Sequence, residues 1–272
     1  MLRRKTDQPR GILKTPVADH QRYRHERYHP SPDLELYVEH FWLVEWDLRG
    51  QAPERAETLP HPNVHMIFER HGKSRLRGPA RAKFSTVLED KGAVFAVKFT
   101  PAGFYPFAGV PVSRFSNATT TLYEVFGTEG DGLDHAVLSE DTDQLRVNLV
   151  EDFLRARGPE PDANVRLISE IVYSVAKDRA IVKVEDLVHR YDMNKRTLQR
   201  LFERYVGVSP KWVIQRYRLH EAAEQLGNGA LPNYADLAVT LGYSDQAHFV
   251  RDFRALIGVS PAAYAKAARQ NY

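Results

Sequence analysis

GVSP occurs twice in this chain, as Gly207-Val208-Ser209-Pro210 and, 51 residues later, as Gly258-Val259-Ser260-Pro261. A phenylalanine precedes each copy at the same interval, Phe202 before the first and Phe253 before the second. Glycine can end a helix in the left-handed conformation, and Ser-Pro then supplies an N-cap and a first-turn proline for the next helix. Each copy therefore predicts the boundary between two helices.

The similarity between the two regions extends upstream of these turns. The corresponding positions are Asp186-Leu187 with Asp236-Leu237, Leu198 with Phe249, and Arg200 with Arg251. Self-similarity over a stretch of this length is typical of a duplicated supersecondary unit. The repeat therefore indicates two copies of one helix-turn-helix unit.

Each unit contains a predicted recognition helix with an apolar face and a polar face. In the first copy the apolar face holds Leu198, Leu201, Phe202 and Tyr205, and the polar face holds Arg196, Gln199, Arg200 and Glu203. In the second copy the apolar face holds Phe249, Phe253 and Leu256, and the opposite face holds Gln246, Ala247, Val250, Arg251 and Arg254. Arginine can bond guanine, glutamine can bond adenine, and alanine or valine can touch only thymine methyl groups. The first helix is therefore the richer candidate for reading bases.

The segment between the units, residues 210–226, has a good helical pattern. A helix of this length is a rod of roughly 25 Å, and successive major-groove faces on one side of DNA lie about 34 Å apart. One chain can then place both recognition helices in adjacent groove segments. Arg216 and Arg218 on this rod are interpreted as solvated or ion-paired, with phosphate contact as the alternative.

These motifs resemble the AraC/XylS family of bacterial transcription regulators, whose hallmark is two helix-turn-helix units joined by a linker helix. The most diagnostic stretch contains Asp236-Leu237-Ala238, residues 241–249, residues 251–254 and residues 258–264. The resemblance covers residues 165–267. It implies base contacts from Arg196, Gln199, Arg200, Gln246, Ala247, Val250 and Arg251, and phosphate contacts from Lys195, Arg204 and Lys211. Val188 and the Asn194-Lys195 pair depart from the usual pattern of the first unit.

The front half of the chain has a strand-like pattern instead. Short alternating or β-branched and aromatic runs occupy residues 38–48, 63–69, 83–88 and 93–99. We therefore expect an α+β protein with two domains. A β-rich N-terminal domain, cupin-like or a small β-barrel with C-terminal helices, occupies residues 31–157, and an all-α domain with both helix-turn-helix units occupies residues 165–272. Residues 1–30 are expected to form a basic, flexible arm, and residues 157–164 a linker.

The charge is unevenly distributed between the two halves. Residues 162–272 hold 16 Lys or Arg and 12 Asp or Glu, whereas residues 1–161 hold 22 basic and 23 acidic side chains. The back half is therefore the candidate for binding a polyanion. The resemblance assigns double-stranded DNA as that partner and gives the front half a regulatory role, through a small-molecule effector, RNA polymerase or dimerisation.

The front half offers few residues with obvious chemistry. Trp42 and Trp46 are candidates for lining an effector pocket, although aromatic residues in strands are more often core. His61 and His65 would lie about 13 Å apart on a strand, too far to share one ion, so no metal and no cofactor are expected. Leu145, Leu149 and Phe153 are either a dimer seam or a packing face, which leaves monomer and homodimer open.

Composition and motifs exclude several other classes of protein. The chain contains no cysteine and no apolar run long enough to span a membrane, which favours the cytoplasm. It has no HExxH, no GxSxG and no glycine-rich phosphate loop, so an enzyme is not expected. Two alternatives stay open: an architectural DNA-binding protein without an effector, and a DNA-binding tail on a β-barrel enzyme. The sequence favours a sequence-specific regulator, activator or repressor.

Overall fold

The computed structural model describes residues 2–6, 12–14, 22–70, 74–227 and 233–270. Its strands are β1 (Ile12–Lys14), β2 (Tyr23–Tyr28), β3 (Val38–Asp47), β4 (Glu54–Thr58), β5 (His65–Glu69), β6 (Arg75–Arg77), β7 (Phe84–Leu88), β8 (Lys91–Phe99) and β9 (Thr119–Thr121). Its helices are α1 (Tyr105–Ala108), α2 (Leu122–Phe126), α3 (Thr128–Ser139), α4 (Asp143–Ala156), α5 (Ala163–Lys177), α6 (Val184–Arg190), α7 (Lys195–Tyr205), α8 (Pro210–Gly227), α9 (Tyr234–Thr240), α10 (Gln246–Ile257) and α11 (Pro261–Gln270). The β-rich front and helical back are as the sequence predicts.

Within these residues the strands form two antiparallel sheets. The larger sheet has the order β2-β3-β8-β5-β6-β9, and the smaller has the order β1-β4-β7. Alternate residues of the central strands point to the same side, where Phe41, Phe68, Phe95 and Val97 are buried in one apolar core. Helices α2, α3 and α4 contribute to that core and cover this face of the sheet. The described part of the front domain thus has a six-stranded sheet with helices packed on one face, and a smaller three-stranded sheet.

Helix α4 packs on the front domain through a different stripe from the one that the sequence indicated. Val147, Val150 and Leu154 are its fully buried apolar residues. Leu145 is 46% exposed, and Leu149 and Phe153 pack at the edge of the core. Val147 and Val150 fill the inward face of the helix, so Leu145, Leu149 and Phe153 lie on its flank. Whether these three residues form a dimer seam stays open.

The back domain has two apolar cores, one for each helix-turn-helix unit. The first joins α5, α6, α7 and the start of α8, with Ile168, Leu187 and Phe202 at its centre. The second joins the end of α8 with α9, α10 and α11. Helix α8 has 18 residues and spans about 27 Å, so it crosses from one core to the other. The predicted linker helix is therefore confirmed.

The prediction of a flexible arm over residues 1–30 is wrong for Tyr23–Tyr28. This segment is strand β2 and pairs with β3 from Tyr23 opposite Trp46 to Tyr28 opposite Phe41. Its sequence, YRHERY, lacks an apolar alternation, so only pairing with β3 reveals it. Residues 1, 7–11 and 15–21 of the expected arm lie outside the described residues.

The two domains share apolar cores across their boundary. Ala102 of the front domain is fully buried in the core of the first unit, where Leu36 and Tyr105 also pack. Leu59, 2% exposed, belongs to the core of the second unit. The front domain therefore contacts both helix-turn-helix units directly.

Candidate nucleic-acid interface

The two units are built alike, down to the backbone bonds of the turn. In the first, the Met193 amide donates to the Val188 carbonyl at 3.1 Å, and in the second the Tyr243 amide donates to Ala238 at 2.9 Å. Both turns contain one left-handed residue, Asp192 at φ 44° in the first and Gly242 at φ 83° in the second. The equivalence of these turns places α7 and α10 in the same position within their units.

Helix α7 begins at a side-chain cap and presents a polar face to solvent. The Asn194 Oδ1 atom accepts from the Arg196 amide at 2.8 Å, which satisfies one of the free amides at the helix start. Leu198 and Phe202 are fully buried. The predicted base-reading residues Arg196, Gln199 and Arg200 are exposed together on the opposite face. The structure therefore brings the three predicted residues together on one exposed face of α7.

Helix α10 has the same arrangement. The Asp245 Oδ1 atom accepts from the His248 amide at 2.7 Å and begins the helix, while Phe249 and Phe253 are fully buried. On its outer face an open groove is lined by Gln246, Ala247, Val250, Arg251 and Arg254. The structure thus brings together all four residues predicted here for base contact and adds Arg254 to them. His248 points away from this groove toward Asp252, with its Nε2 atom 3.3 Å from Oδ2.

The predicted phosphate-contacting residues differ in what they touch. The Lys195 ammonium pairs with the Glu185 carboxylate at 2.7 Å, and both side chains are largely exposed. Lys211 is exposed at the start of α8. Arg204 is held by the front domain: its Nε atom donates to the Tyr105 hydroxyl at 2.5 Å, and its guanidinium lies 4.8 Å from the Tyr105 ring centre. The hydroxyl acceptor raises the pKa of Arg204, which keeps its charge.

The two arginines of the linker helix cannot reach DNA, because both are buried. Arg216 is 2% exposed, and its Nε atom donates to the Pro60 carbonyl at 2.6 Å. Arg218 is 1% exposed, pairs with Glu221 at 3.0 Å and donates to the Val175 carbonyl. The solvated and phosphate-binding interpretations are therefore wrong, whereas ion pairing holds for Arg218. The helical pattern of charged residues gave no sign that the front domain covers Arg216 or that α5 covers Arg218.

The candidate pocket residues of the front domain lie on one face of β3 but have separate surroundings. The Trp42 indole donates to His65 Nδ1 at 3.4 Å. The Trp46 indole donates to the Glu89 carbonyl at 3.0 Å, and its ring covers Gly92, where a Cβ would come within 2.2 Å of Cζ2. Four residues of strand separate the two side chains by about 13 Å. A shared effector pocket stays a prediction.

The two histidines considered for a metal face different partners. His61 Nδ1 lies 3.1 Å from the Arg216 guanidinium, while His65 contacts Trp42. Within the described ranges, no three His, Cys, Asp or Glu side chains come together as ligands, and no helix is long and apolar enough to cross a membrane.

Known protein families match both parts of the chain. Residues 187–267 match a family described as a helix-turn-helix domain, and residues 26–121 match a domain of unknown function, DUF6597. YbfI of Bacillus subtilis, an uncharacterized HTH-type transcriptional regulator, is 26% identical over 82% of this chain and 85% of its own length. The activator AarP of Providencia stuartii is 31% identical over 30% of this chain and 61% of its own length. This chain spans only 24% of a further relative, YtdP of Bacillus subtilis, at 23% identity.

Two solved structures show weak likeness. The C-terminal domain of AraT, a response regulator from Geobacillus stearothermophilus, covers 40% of this chain and 88% of its own, with 24% identity and a TM-score of 0.33. ToxT from Vibrio cholerae O395 covers 90% of this chain and 98% of its own, with 10% identity and a TM-score of 0.36. Scores this low add nothing to the argument from residues and families.

The recognition helices of both units, α7 and α10, lie within residues 187–267, the stretch that matches the helix-turn-helix domain. In this chain a domain of unknown function, DUF6597, therefore precedes a helix-turn-helix domain.

Proposed function

We propose that this protein regulates transcription by inserting α7 and α10 into adjacent major-groove segments of one operator. The observation that carries this proposal is the pair of recognition helices. They occupy equivalent positions in their units, and helix α8, about 27 Å long, joins the units. The polar faces of both recognition helices are exposed. In this proposal Arg196, Gln199 and Arg200 read bases in one segment, while α10 contributes Gln246 and Arg251 with apolar contacts from Ala247 and Val250.

Lys195 and Lys211 are proposed to contact phosphates beside α7. Both are exposed lysines near helix starts, and an exposed ion pair such as that of Lys195 with Glu185 costs little to exchange for a phosphate. Arg204 is proposed to contribute positive potential rather than a phosphate bond, because Tyr105 already holds its guanidinium.

The front domain is proposed to control this activity without catalysing a reaction. Its contacts with both units support this role, since a change in the front domain is transmitted directly to the DNA-reading surface. The proposed partner of the front domain is a small-molecule effector, RNA polymerase or a second copy of the chain. The proposed location of the protein is the cytoplasm.

A footprinting experiment tests the two-helix proposal. Sites are selected from random DNA with the full-length protein, and the selected duplex is then probed by methylation protection of guanine N7 in the major groove. We expect two protected segments about 10 to 10.5 base pairs apart on one side of the duplex. With Arg251→Ala, protection should weaken in one segment only. A single protected segment in the wild-type footprint would contradict the proposal.

A further inference from the structure

The front domain contacts both helix-turn-helix units at the same position, the glycine that ends each recognition helix. Gly207 follows α7 with φ +82°, and Gly258 follows α10 with φ +96°, both in the left-handed region. These are the glycines of the repeated Gly-Val-Ser-Pro motif. The front domain contacts the same glycine turn in both repeats. Such paired contacts can set the orientation of one repeat relative to the other.

At the first glycine the contact comes from Ser116. Its hydroxyl donates to the Gly207 carbonyl, and a Cβ at Gly207 would lie 2.8 Å from Ser116 Oγ and 2.9 Å from the Val112 carbonyl oxygen. There is thus no room between the end of α7 and the 3-10 helix Val112–Phe115. The direction of α7 is fixed relative to the front domain at this point.

At the second glycine the contact comes from Lys83. A Cβ at Gly258 would lie 2.8 Å from Lys83 Nζ and 3.0 Å from Cε. The ammonium is held in place by the Glu57 carboxylate on β4, at 2.8 Å, and Glu57 is itself 7% exposed. The carbonyl end of a helix carries partial negative charge, so a cation beside the end of α10 is favourable.

The two contacts belong to one local structure. The Asn117 amide donates to the Pro79 carbonyl at 2.9 Å, and the Arg81 amide donates back to Asn117 Oδ1 at 2.9 Å. Asn117 follows Ser116, and Lys83 comes two residues after Arg81. We call residues 78–83 and 112–118 together the brace. A single bonded assembly therefore reaches from the end of α7 to the end of α10.

We propose that the brace positions the two recognition helices relative to each other and so determines which spacing of half-sites the protein accepts. The inference rests on the proposed reading of two groove segments. Helix α8 sets the distance between the units, and one glycine turn follows each recognition helix. Because both turns contact the brace, the brace fixes the angle between the two helices. One inserted base pair rotates one half-site relative to the other by about 35° about the DNA axis, on DNA with 10 to 10.5 base pairs per turn.

A distance measurement on the full chain tests the brace without DNA. The sequence contains no cysteine, so Glu203→Cys and Ala255→Cys give two exposed labelling positions, one near the end of each recognition helix. Spin labels at these positions report the distance distribution between the units by pulsed electron resonance. We expect Ser116→Ala with Lys83→Ala to broaden or shift this distribution. The matched control, Ser85→Ala with Lys91→Ala, removes an exposed serine and an exposed lysine of the front domain and should leave it unchanged.

The consequence for spacing is measured on operators with one base pair inserted between the half-sites. We expect the wild type to lose at least about tenfold in affinity, about 1.4 kcal/mol, and the brace variant to lose less than about twofold. An unchanged distance distribution together with an unchanged spacing penalty would overturn the inference. If the wild type shows no sequence preference at all, the proposed DNA reading fails while the distance measurement still decides the brace. Should the double variant not fold, Lys83→Met alone carries both measurements.

Discussion

Arg200 and Arg251 occupy corresponding positions in the two units, and both are exposed on the outer face of a recognition helix. Their chemical surroundings differ. Arg200 has Arg196 and Gln199 beside it, whereas Arg251 has Ala247 and Val250. Hydrogen-bonding side chains discriminate between bases more strongly than methyl contacts do. Most of the sequence discrimination is therefore expected from α7.

The Arg200→Ala substitution should separate base reading from charge. We expect a loss of about 1–3 kcal/mol on the operator and little change on random DNA, because the lost bond is to a base edge. Binding titrations at one salt concentration measure both. Arg166→Ala, which removes an exposed arginine of α5, is the matched control and should affect neither DNA strongly. Equal losses of Arg200→Ala on both DNAs would assign Arg200 to phosphate contact.

His61 and His65 predict that stability falls in mild acid. Burial, with Lys98 nearby, lowers the pKa of His65 to about 3, and burial lowers that of His61 well below its ordinary value. Below about pH 6.5 the unfolded chain takes up protons that the folded chain excludes, so unfolding becomes more favourable as the pH falls.

Each such histidine contributes at most about 1.4 kcal/mol per pH unit to this loss. Urea unfolding at pH 7, 6 and 5.5 measures the slope of the free energy of unfolding against pH, and His65→Gln should reduce that slope. The range lies above the ordinary pKa values of carboxylates, so histidines dominate it. A free energy of unfolding that stays constant from pH 7 to pH 5.5 would contradict the assignment of neutral rings in the folded chain.

The buried and exposed faces of α7 and α10 could be predicted from sequence. On α7, for example, helical periodicity alone places Leu198 and Phe202 on one face and Arg200 on the other. The partners of Arg204 and Arg216 could not. Tyr105 lies 99 residues from Arg204, and Pro60 lies 156 residues from Arg216. Only folding brings such pairs together, and a charged side chain gives no local sign that a distant carbonyl or hydroxyl will cover it.

The helices of the back domain begin and end where local chemistry dictates. Asn194 and Asp245 cap the two recognition helices, and glycines in the left-handed region end them. Capping side chains and glycines are visible in a sequence, which is why this half was predicted well. The front domain is different. Strands β2 and β4 have polar sequences and exist because β3 and β7 pair with them, so their alternation is too weak to be seen.

The cap of α10 gives a prediction for that element. Asp245→Ala should lower the free energy of unfolding by about 1 kcal/mol, since it leaves the His248 amide without its side-chain acceptor. Asp245→Ser should recover most of the loss, because a serine hydroxyl also accepts at this position. Glu203→Ala, on an exposed face of α7, is the control and should stay within about 0.5 kcal/mol of the wild type. Equal stability of Asp245→Ala and the wild type would show that the cap contributes nothing.

At the scale of the whole molecule, the front domain is joined to the DNA-reading domain by more than a linker. Leu59 enters the core of the second unit, Ala102 enters that of the first, and Arg216 binds the front domain from the linker helix. Shared apolar cores oppose independent motion of the two domains. Regulation by the front domain is therefore expected to act on the geometry of the two recognition helices.

This geometry is expected to read a specific DNA sequence. Fluorescence anisotropy of the full-length protein on its own promoter region and on scrambled DNA, over a series of salt concentrations, tests it most directly. We predict a preference for the promoter of roughly a thousandfold and an affinity that falls steeply with salt, since base contacts add to a phosphate-driven background. Equal, weak binding to both DNAs at every salt concentration would contradict sequence-specific reading by the two recognition helices.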